Sequence, residues 1–529
     1  MNENVDTGEL FSSVDAAWLH MDSPTNLAVI NGVMTFNRPL DFNRLQTAVK
    51  DRMLTYDRFR KLVREPEGRF GLPVWEFDPD FSLDNHLLRD RLPSPGNHEV
   101  LQVLMGRLIS IPLNPERPLW QLVYLENYNQ GSALIGRLHH CIADGIALMQ
   151  VLLSLADESP DAPWPQMPAP EPVQEEVDEA MRPLTRLVYP AVKLIKDARR
   201  AWQAIPHAVQ RGIESVPTPR RLSEAAQYGV KGTMALGKLL FILPDQKTVF
   251  KQKCGIEKRV AWTKAIQVED VRAVGQKMGG TINDILLSAM TGALRRYLEN
   301  RGDPVDGLDI RTIVPVNLRR PEEAGQLGNR FGLVFLSLPI GIRDPLRRLV
   351  TIRKRMDEIK DSPEAVVAIG ILGGIGMTPI QVEHVIVSIF GMKGSAVMTN
   401  VPGPRKPLYL AGEQIDSFIF WVPTPANIGL GVSIFSYNGH VMIGFATDDG
   451  MVSDPAQIIQ DFQDEFKQLQ SWGRPPEKAV LLDQEAEDAL RICQALTRAG
   501  KPCKNRALPG SFYCRVHRQA EDLPAHLGE

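Results

Sequence analysis

Residues 159 to 172 read SPDAPWPQMPAPEP, and no other stretch limits the fold as much. Proline fixes φ and removes a backbone donor, so a run this dense is neither helix nor central strand but a linker. It divides the 529 residues into at least two folding regions, a division that length alone also favours. With 43% hydrophobic and 23% charged residues, both regions can bury sizeable cores. The formal net charge of -3 gives no global reason to expect a nucleic-acid partner. The start, MNENVDTGELFSS, is polar and acidic and lacks the basic-then-apolar pattern of a secretory signal.

Both regions mix strand and helix patterns. In the first, residues 1–157, LAVINGVMTF is apolar and β-rich, and FNRLQTAVKDRML has helical spacing. WQLVYLE and SALIGRLHH are strand candidates around a polar turn, NYNQG. IALMQVLLSLAD is helical. In the second, residues 257–475, the helix TINDILLSAMTGALRRYLENRG has Thr281 as its N-cap. The strands IRTIVPVNL, FGLVFLSLP, GSAVMTNVPG, SFIFWVP, GLGVSIFSYNG and HVMIGFATD follow. Two sandwich-like α/β halves with a ligand cleft between them is the economical arrangement.

Residues 158–256 add an amphipathic stretch, RPLTRLVYPAVKLIKDARRAWQAI. Leu184, Val188, Ala191, Ile195, Ala198 and Trp202 share one face, and Arg186, Lys193, Lys196 and Arg200 the other. It reads either as a connecting helix with a solvated basic face or as an interfacial helix drawn to anionic lipid. The uncharged run AVVAIGILGGIGMTPIQV is Gly-rich and broken by Pro379, which favours buried helix or tunnel wall over a membrane span.

LHHCIADG, residues 138–145, stands at a strand-to-loop-to-helix junction. A histidine there can project into a cleft, mostly neutral at neutral pH and able to take a proton from a hydroxyl. Asp144 can cap the following helix, and Gly145 permits a tight turn or a close approach. From spacing alone a satisfied structural pair, His139 and His140, is an equal reading. A metal held by His140 and Asp144 would need a third ligand that no neighbouring cluster supplies.

HHCIADG resembles the HHxxxDG motif of the bacterial wax ester synthase/acyl-CoA:diacylglycerol acyltransferase family, within the superfamily of CoA-dependent acyltransferases. Other family signatures occur in order: SSVDAAWLHMDSPTN (12–26), Pro118-Leu119-Trp120, TINDILLSA with Asn283 and Asp284, VPVNLR, LGNRFG, TNVPGP, PLYLAG and GLGVSIFSYNGHVMIGFATD. The resemblance spans about residues 9–472. It implies an α/β fold of two chloramphenicol-acetyltransferase-like mixed-sheet sandwich subdomains joined by a linker, with the active site in the tunnel between them. It also implies long-chain acyl transfer from acyl-CoA to a fatty alcohol or diacylglycerol, with no catalytic cofactor. His140 would be the general base, His139 would shape the pocket and Asp144 would hold the loop. Asn283 would stabilise the oxyanion or else serve as a polar first-turn residue. Pro118, Leu119, Trp120 and Asp284 would lie near substrate, and Cys141 would be packing. Where many members carry Met-His-Val-Gly, this chain has LAVINGV, which leaves the acceptor open. Alternatives are a condensation-type enzyme with another acceptor and an inactive lipid-binding scaffold. The resemblance places the protein in the cytoplasm, peripheral at the inner membrane or lipid inclusions.

The tail, residues 476–529, is distinct. Cys493, Cys503, Cys514 and His517 have the donor set of a closed structural zinc site, and a region this small lacks core of its own. The other reading is an unstructured basic tail. CQALTRAGKPC and YCRVH resemble small zinc-binding tails, and the surrounding Lys and Arg could dock lipid or a protein.

Overall fold

A computed structural model describes residues 9–66, 71–162, 242–319, 326–360, 367–368, 370–371, 373, 380–472 and 503. The basic amphipathic stretch, most of the Gly-rich apolar run, and the tail apart from Cys503 lie outside them. Residues Met1–Phe466 form one compact unit and Lys467–Glu529 a second.

Alternating apolar stretches before the linker become β1 (Glu9–Leu10), β2 (Val29–Phe36), β3 (Lys61–Arg64), β4 (Val74–Phe77), β5 (Leu87–Arg91), β6 (Trp120–Tyr128) and β7 (Gly131–His139). After it come β8 (Lys258–Trp262), β9 (Ile266–Gln267), β10 (Ile310–Asn317), β11 (Phe331–Leu338) and β12 (Ala396–Pro402). The last strands are β13 (Tyr409–Leu410), β14 (Glu413–Trp421), β15 (Leu430–Tyr437) and β16 (His440–Asp448). The helices that matter below are α1 (Ser13–His20), α2 (Phe42–Arg52), α3 (His98–Ile109), α4 (Gly145–Leu155), α5 (Val268–Met278), α6 (Ile282–Asn300), α7 (Pro345–Lys360) and α8 (Ile380–Gly391). Among the described residues, no helix is long and apolar enough to cross a membrane.

Two mixed sheets carry the fold, as the sequence implies. One runs β13-β14-β2-β7-β6-β5, antiparallel except for the parallel pair of β5 and β6. The other runs β11-β10-β12-β15-β16-β8, with parallel pairs at β10–β12 and β12–β15 and β9 against β16. β1, β4 and β3 make a small third sheet that the sequence reading did not contain. The segments 1–157 and 257–475 do not map one to one onto sheets. β14, the SFIFWVP strand, leaves the second segment and pairs with β2 in the first sheet, Phe418 opposite Met34 and Phe420 opposite Gly32.

The two faces of the first sheet differ because side chains alternate along a strand. Ile30, Gly32 and Met34 of β2 stand opposite Leu138, Gly136 and Leu134 of β7. On the reverse face Val29 stands opposite His139, and Asn31 opposite Arg137. Asp144 caps α4, accepting from the Ala147 N–H at 2.9 Å. Thr281 caps α6 as expected, and Asp284 closes a capping box there: its carboxylate accepts from the Thr281 N–H at 2.9 Å.

Candidate active site

β7 ends at His139, and the turn that follows delivers His140 to the head of α4. The His140 N–H donates to the Ala28 carbonyl (2.7 Å), and that of His139 to the Leu119 carbonyl (2.9 Å). Pro118, Leu119 and Trp120 thus serve the strand; all three are buried. The Trp120 indole N–H is spent on the Phe59 carbonyl at 2.8 Å, and its ring stacks on His86. These bonds anchor the end of the histidine strand.

The imidazole of His140 lies flat on Trp18, centroids 4.0 Å apart, with Phe331 edge-on at 5.6 Å. It is 5% exposed, and its Nδ1 is buried with no hydrogen-bond partner. Burial pushes its pKa down to about 4, against the opposing pull of the Asp144 carboxylate. The ring is therefore neutral throughout the physiological range. His139 is equally buried; its Nδ1 accepts from the Cys141 N–H at 3.2 Å. The Cys141 thiol is pushed well up by burial, which fits packing rather than nucleophilic chemistry.

Asp144 points away from proton exchange. Its Oδ2 accepts from Arg319 Nη2 at 2.8 Å and from the Arg330 N–H at 2.9 Å, and Arg319 is itself buried. Arg319 also donates to the carbonyls of Gln326 (2.6 Å) and Gly328 (2.8 Å). Asn329 Nδ2 donates both to the His140 carbonyl (2.7 Å) and to Asp15 (2.8 Å). Asp15 meets Arg58 at 3.2 Å, and Arg58 donates to the Ile142 carbonyl at 2.8 Å. The His140 and Ile142 carbonyls and the Asp144 carboxylate are thereby each held by a side chain from elsewhere in the chain.

The signatures noted in the sequence converge here. SSVDAAW supplies Asp15 and Trp18, VPVNLR supplies Arg319, and LGNRFG supplies Asn329 and Phe331. The strings mark the segments, but not which of their side chains reach the loop. Arg58 lies outside all of them and carried no signal. Asn283 is not joined to the loop by any described bond; its Oδ1 accepts from Asn400 Nδ2 at 3.0 Å. Asp284 closes the cap of α6. Gly145 does not adopt a positive φ. Its use is room: a Cβ placed there would meet nothing within 4 Å.

Two clefts open on opposite faces of the first sheet. One, of about 490 Å³, is partly polar and lies between Asn26, Val29 and Asn31 on one side and Lys258, Trp421 and Thr447 on the other. The second, of about 520 Å³, is wholly apolar and runs between β2, β7 and α4, from Leu138 and Gly145 inward. The His140 ring lines neither cleft itself. Among the described residues no group of three or more His, Cys, Asp or Glu could hold a metal. The alternative of a metal on His140 and Asp144 therefore lacks its third ligand, and Asp144 is already paired.

Comparisons with known proteins extend over most of the chain. The wax ester synthase/diacylglycerol acyltransferase catalytic domain matches residues 11–286, and the C-terminal domain of the same family matches residues 327–470. A Mycobacterium tuberculosis protein named a probable diacylglycerol O-acyltransferase is 28% identical over 454 residues, covering 84% of this chain and 90% of that protein. A second from the same organism is 26% identical over 476 residues, covering 87% and 99%. The solved wax ester synthase/diacylglycerol acyltransferase of Marinobacter aquaeolei superposes with a TM-score of 0.61 at 20% identity, over 88% of this chain and 99% of that one. The first condensation domain of the calcium-dependent antibiotic synthetase follows at 0.54 and 14% identity, covering 90% and 98%.

Proposed function

The chain belongs to the wax ester synthase/diacylglycerol acyltransferase family, and we propose that it esterifies a fatty alcohol or diacylglycerol with a long-chain acyl group from acyl-CoA, His140 acting as base. One observation carries the reading. A buried, neutral imidazole stands at the strand end, in the short turn between Leu138 and Gly145, which both line the apolar cleft. His140 takes the hydroxyl proton as the alcohol oxygen attacks the thioester carbonyl. The tetrahedral intermediate then expels the CoA thiolate, which takes that proton from the imidazolium, so the ring returns to its starting state. No acyl-enzyme is required when both substrates are held together. We assign the oxyanion to Asn283 through its Nδ2, since its Oδ1 is engaged by Asn400.

The test is CoA release from palmitoyl-CoA with hexadecanol, diacylglycerol or a long-chain amine. Ester formation with either hydroxyl acceptor supports the reading. Amide formation alone would point to a condensation-type enzyme, and no turnover with any acceptor to a lipid-binding scaffold.

Attachment to a lipid surface is part of this proposal. Val385 (58% exposed), Ile389 (41%) and Met392 (46%) repeat at helical spacing along and just beyond α8. The helix turns its one acid, Glu383, inward to His20. Leu243 is exposed beside Met392, whose carbonyl accepts from the Asp245 N–H at 2.9 Å, and exposed Lys247 and Lys253 follow along that strand of chain. An apolar stripe flanked by lysines suits an anionic bilayer or inclusion monolayer. Flotation with anionic vesicles should fall for Ile389→Asp; equal flotation would sink the idea. For the tail we retain zinc on Cys493, Cys503, Cys514 and His517, as a structural or docking module. Elemental analysis of the full chain should give one zinc per molecule, and a value well below one would refute it.

A further inference from the structure

The apolar cleft exists because two glycines face each other where a sheet normally presents side chains. Gly32 and Gly136 are direct cross-strand partners, and both line the cleft. Leu148, Met149 and Leu152 of α4 cover it at helical spacing, and no lining residue is polar. Leu138 and Gly145 form the end beside the histidine loop; Met34 and Leu134 form the far end. From Leu138 to Leu134 the strand rises about 13 Å.

We propose that this cleft seats one hydrocarbon chain of the reacting substrates, its functional end at the Leu138–Gly145 mouth beside the histidine loop, and that the Gly32–Gly136 pair and Met34 set the length accepted. The identity of the chain rests on the esterification reading; the cleft and its glycines do not. A Cβ at Gly136 would lie 3.5 Å from Leu122 and 3.7 Å from Leu138, ordinary contacts, so larger side chains can attach there and extend into the open space. At Gly32 the same atom would come within 3.3 Å of Phe418, a tighter fit. Gly136 is therefore the better handle. Each methylene that no longer finds an apolar seat should cost about fourfold in kcat/KM.

The experiment compares the unaltered protein, Gly136→Val and Met34→Ala in two series: acyl-CoA chains of increasing length with hexadecanol, and alcohols of increasing length with palmitoyl-CoA. Gly136→Val should raise the ratio of short-chain to long-chain kcat/KM, and Met34→Ala should lower it, in one and the same series. The responsive series identifies the occupant as acyl or alkyl chain. Superimposable profiles in both series, or a uniform loss at every length, would overturn the proposal. A turnover-independent readout separates it from the esterification reading: displacement of a fluorescent long-chain fatty acid. Weaker binding by Gly136→Val would support the cleft even if the unaltered protein released no CoA. In that event, unchanged binding would overturn it.

Discussion

Two histidines at the ends of neighbouring elements, His20 closing α1 and His140 following β7, are both largely enclosed, yet they carry opposite charge states. At His20 the ring meets Glu383 at 2.9 Å and Glu65 at 3.7 Å, and these carboxylates, Glu383 foremost, raise its pKa to about 9. At His140 burial dominates and lowers it to about 4. The difference lies in where the nearest acid is aimed. Glu383 faces its histidine, whereas Asp144 is turned to Arg319 and to the backbone of residue 330. Burial that no facing carboxylate offsets keeps His140 neutral, and a carboxylate that outweighs burial makes His20 a cation. The first histidine ties α1 to α8 as a cation, and the second is kept as an acceptor.

The largest effect expected from breaking this contrast is on turnover. His140→Ala should reduce kcat by about 10²–10⁴-fold while far-UV circular dichroism stays unchanged, and a folded variant with full activity would end the base assignment. Next, Arg319→Met leaves the Asp144 carboxylate buried without its cation. A loss of about 3–5 kcal/mol in denaturant unfolding is expected. The freed carboxylate should also draw the His140 pKa upward, moving the acid limb of kcat/KM to higher pH; an unmoved limb would refute the account of Asp144.

Smaller effects separate the two rings by pH. A folded pKa below the unfolded value means the unfolded chain binds more protons between about pH 4 and 6.5, so the His140 contribution falls as the medium is acidified through that window. His20 has the opposite sign: its contribution is complete below 6.5 and disappears as pH rises through about 9. His20→Gln should therefore abolish part of the alkaline loss of stability and cost about 1–3 kcal/mol near neutrality by leaving Glu383 without its partner. Thermal melts across pH 5–10 would show it. Smallest of all, Trp18→Phe keeps an aromatic floor under His140 and should cost no more than about 1.5 kcal/mol, read in the same melts.

Much of this was legible in the chain. Alternation marked the long strands, and the His–His–x–x–x–Asp–Gly junction fell at the end of β7 and the head of α4 because strand period gave way there to helix period. The rest depended on distance in sequence. Arg319 and Asn329 reach the histidine loop from residues 175 and 189 positions away, and periodicity does not encode such pairings. The SFIFWVP strand was recognised as a strand, but nothing in its pattern says which sheet it joins. In α8 the usual rule is reversed, since its acid faces inward and several of its apolar side chains outward. A hydrophobic pattern alone would seat that helix the other way round.

The placement of β14 has a consequence for how the protein is made. A ribosome delivers the apolar β2 hundreds of residues before Glu413–Trp421 emerges to lie against it. Until then β2 is a bare border strand, with open hydrogen-bonding groups that any similar chain could occupy. An amino-terminal fragment ending at the linker would keep that exposed border indefinitely, so the lobe that bears His140 is completed by the carboxy-terminal half of the same chain.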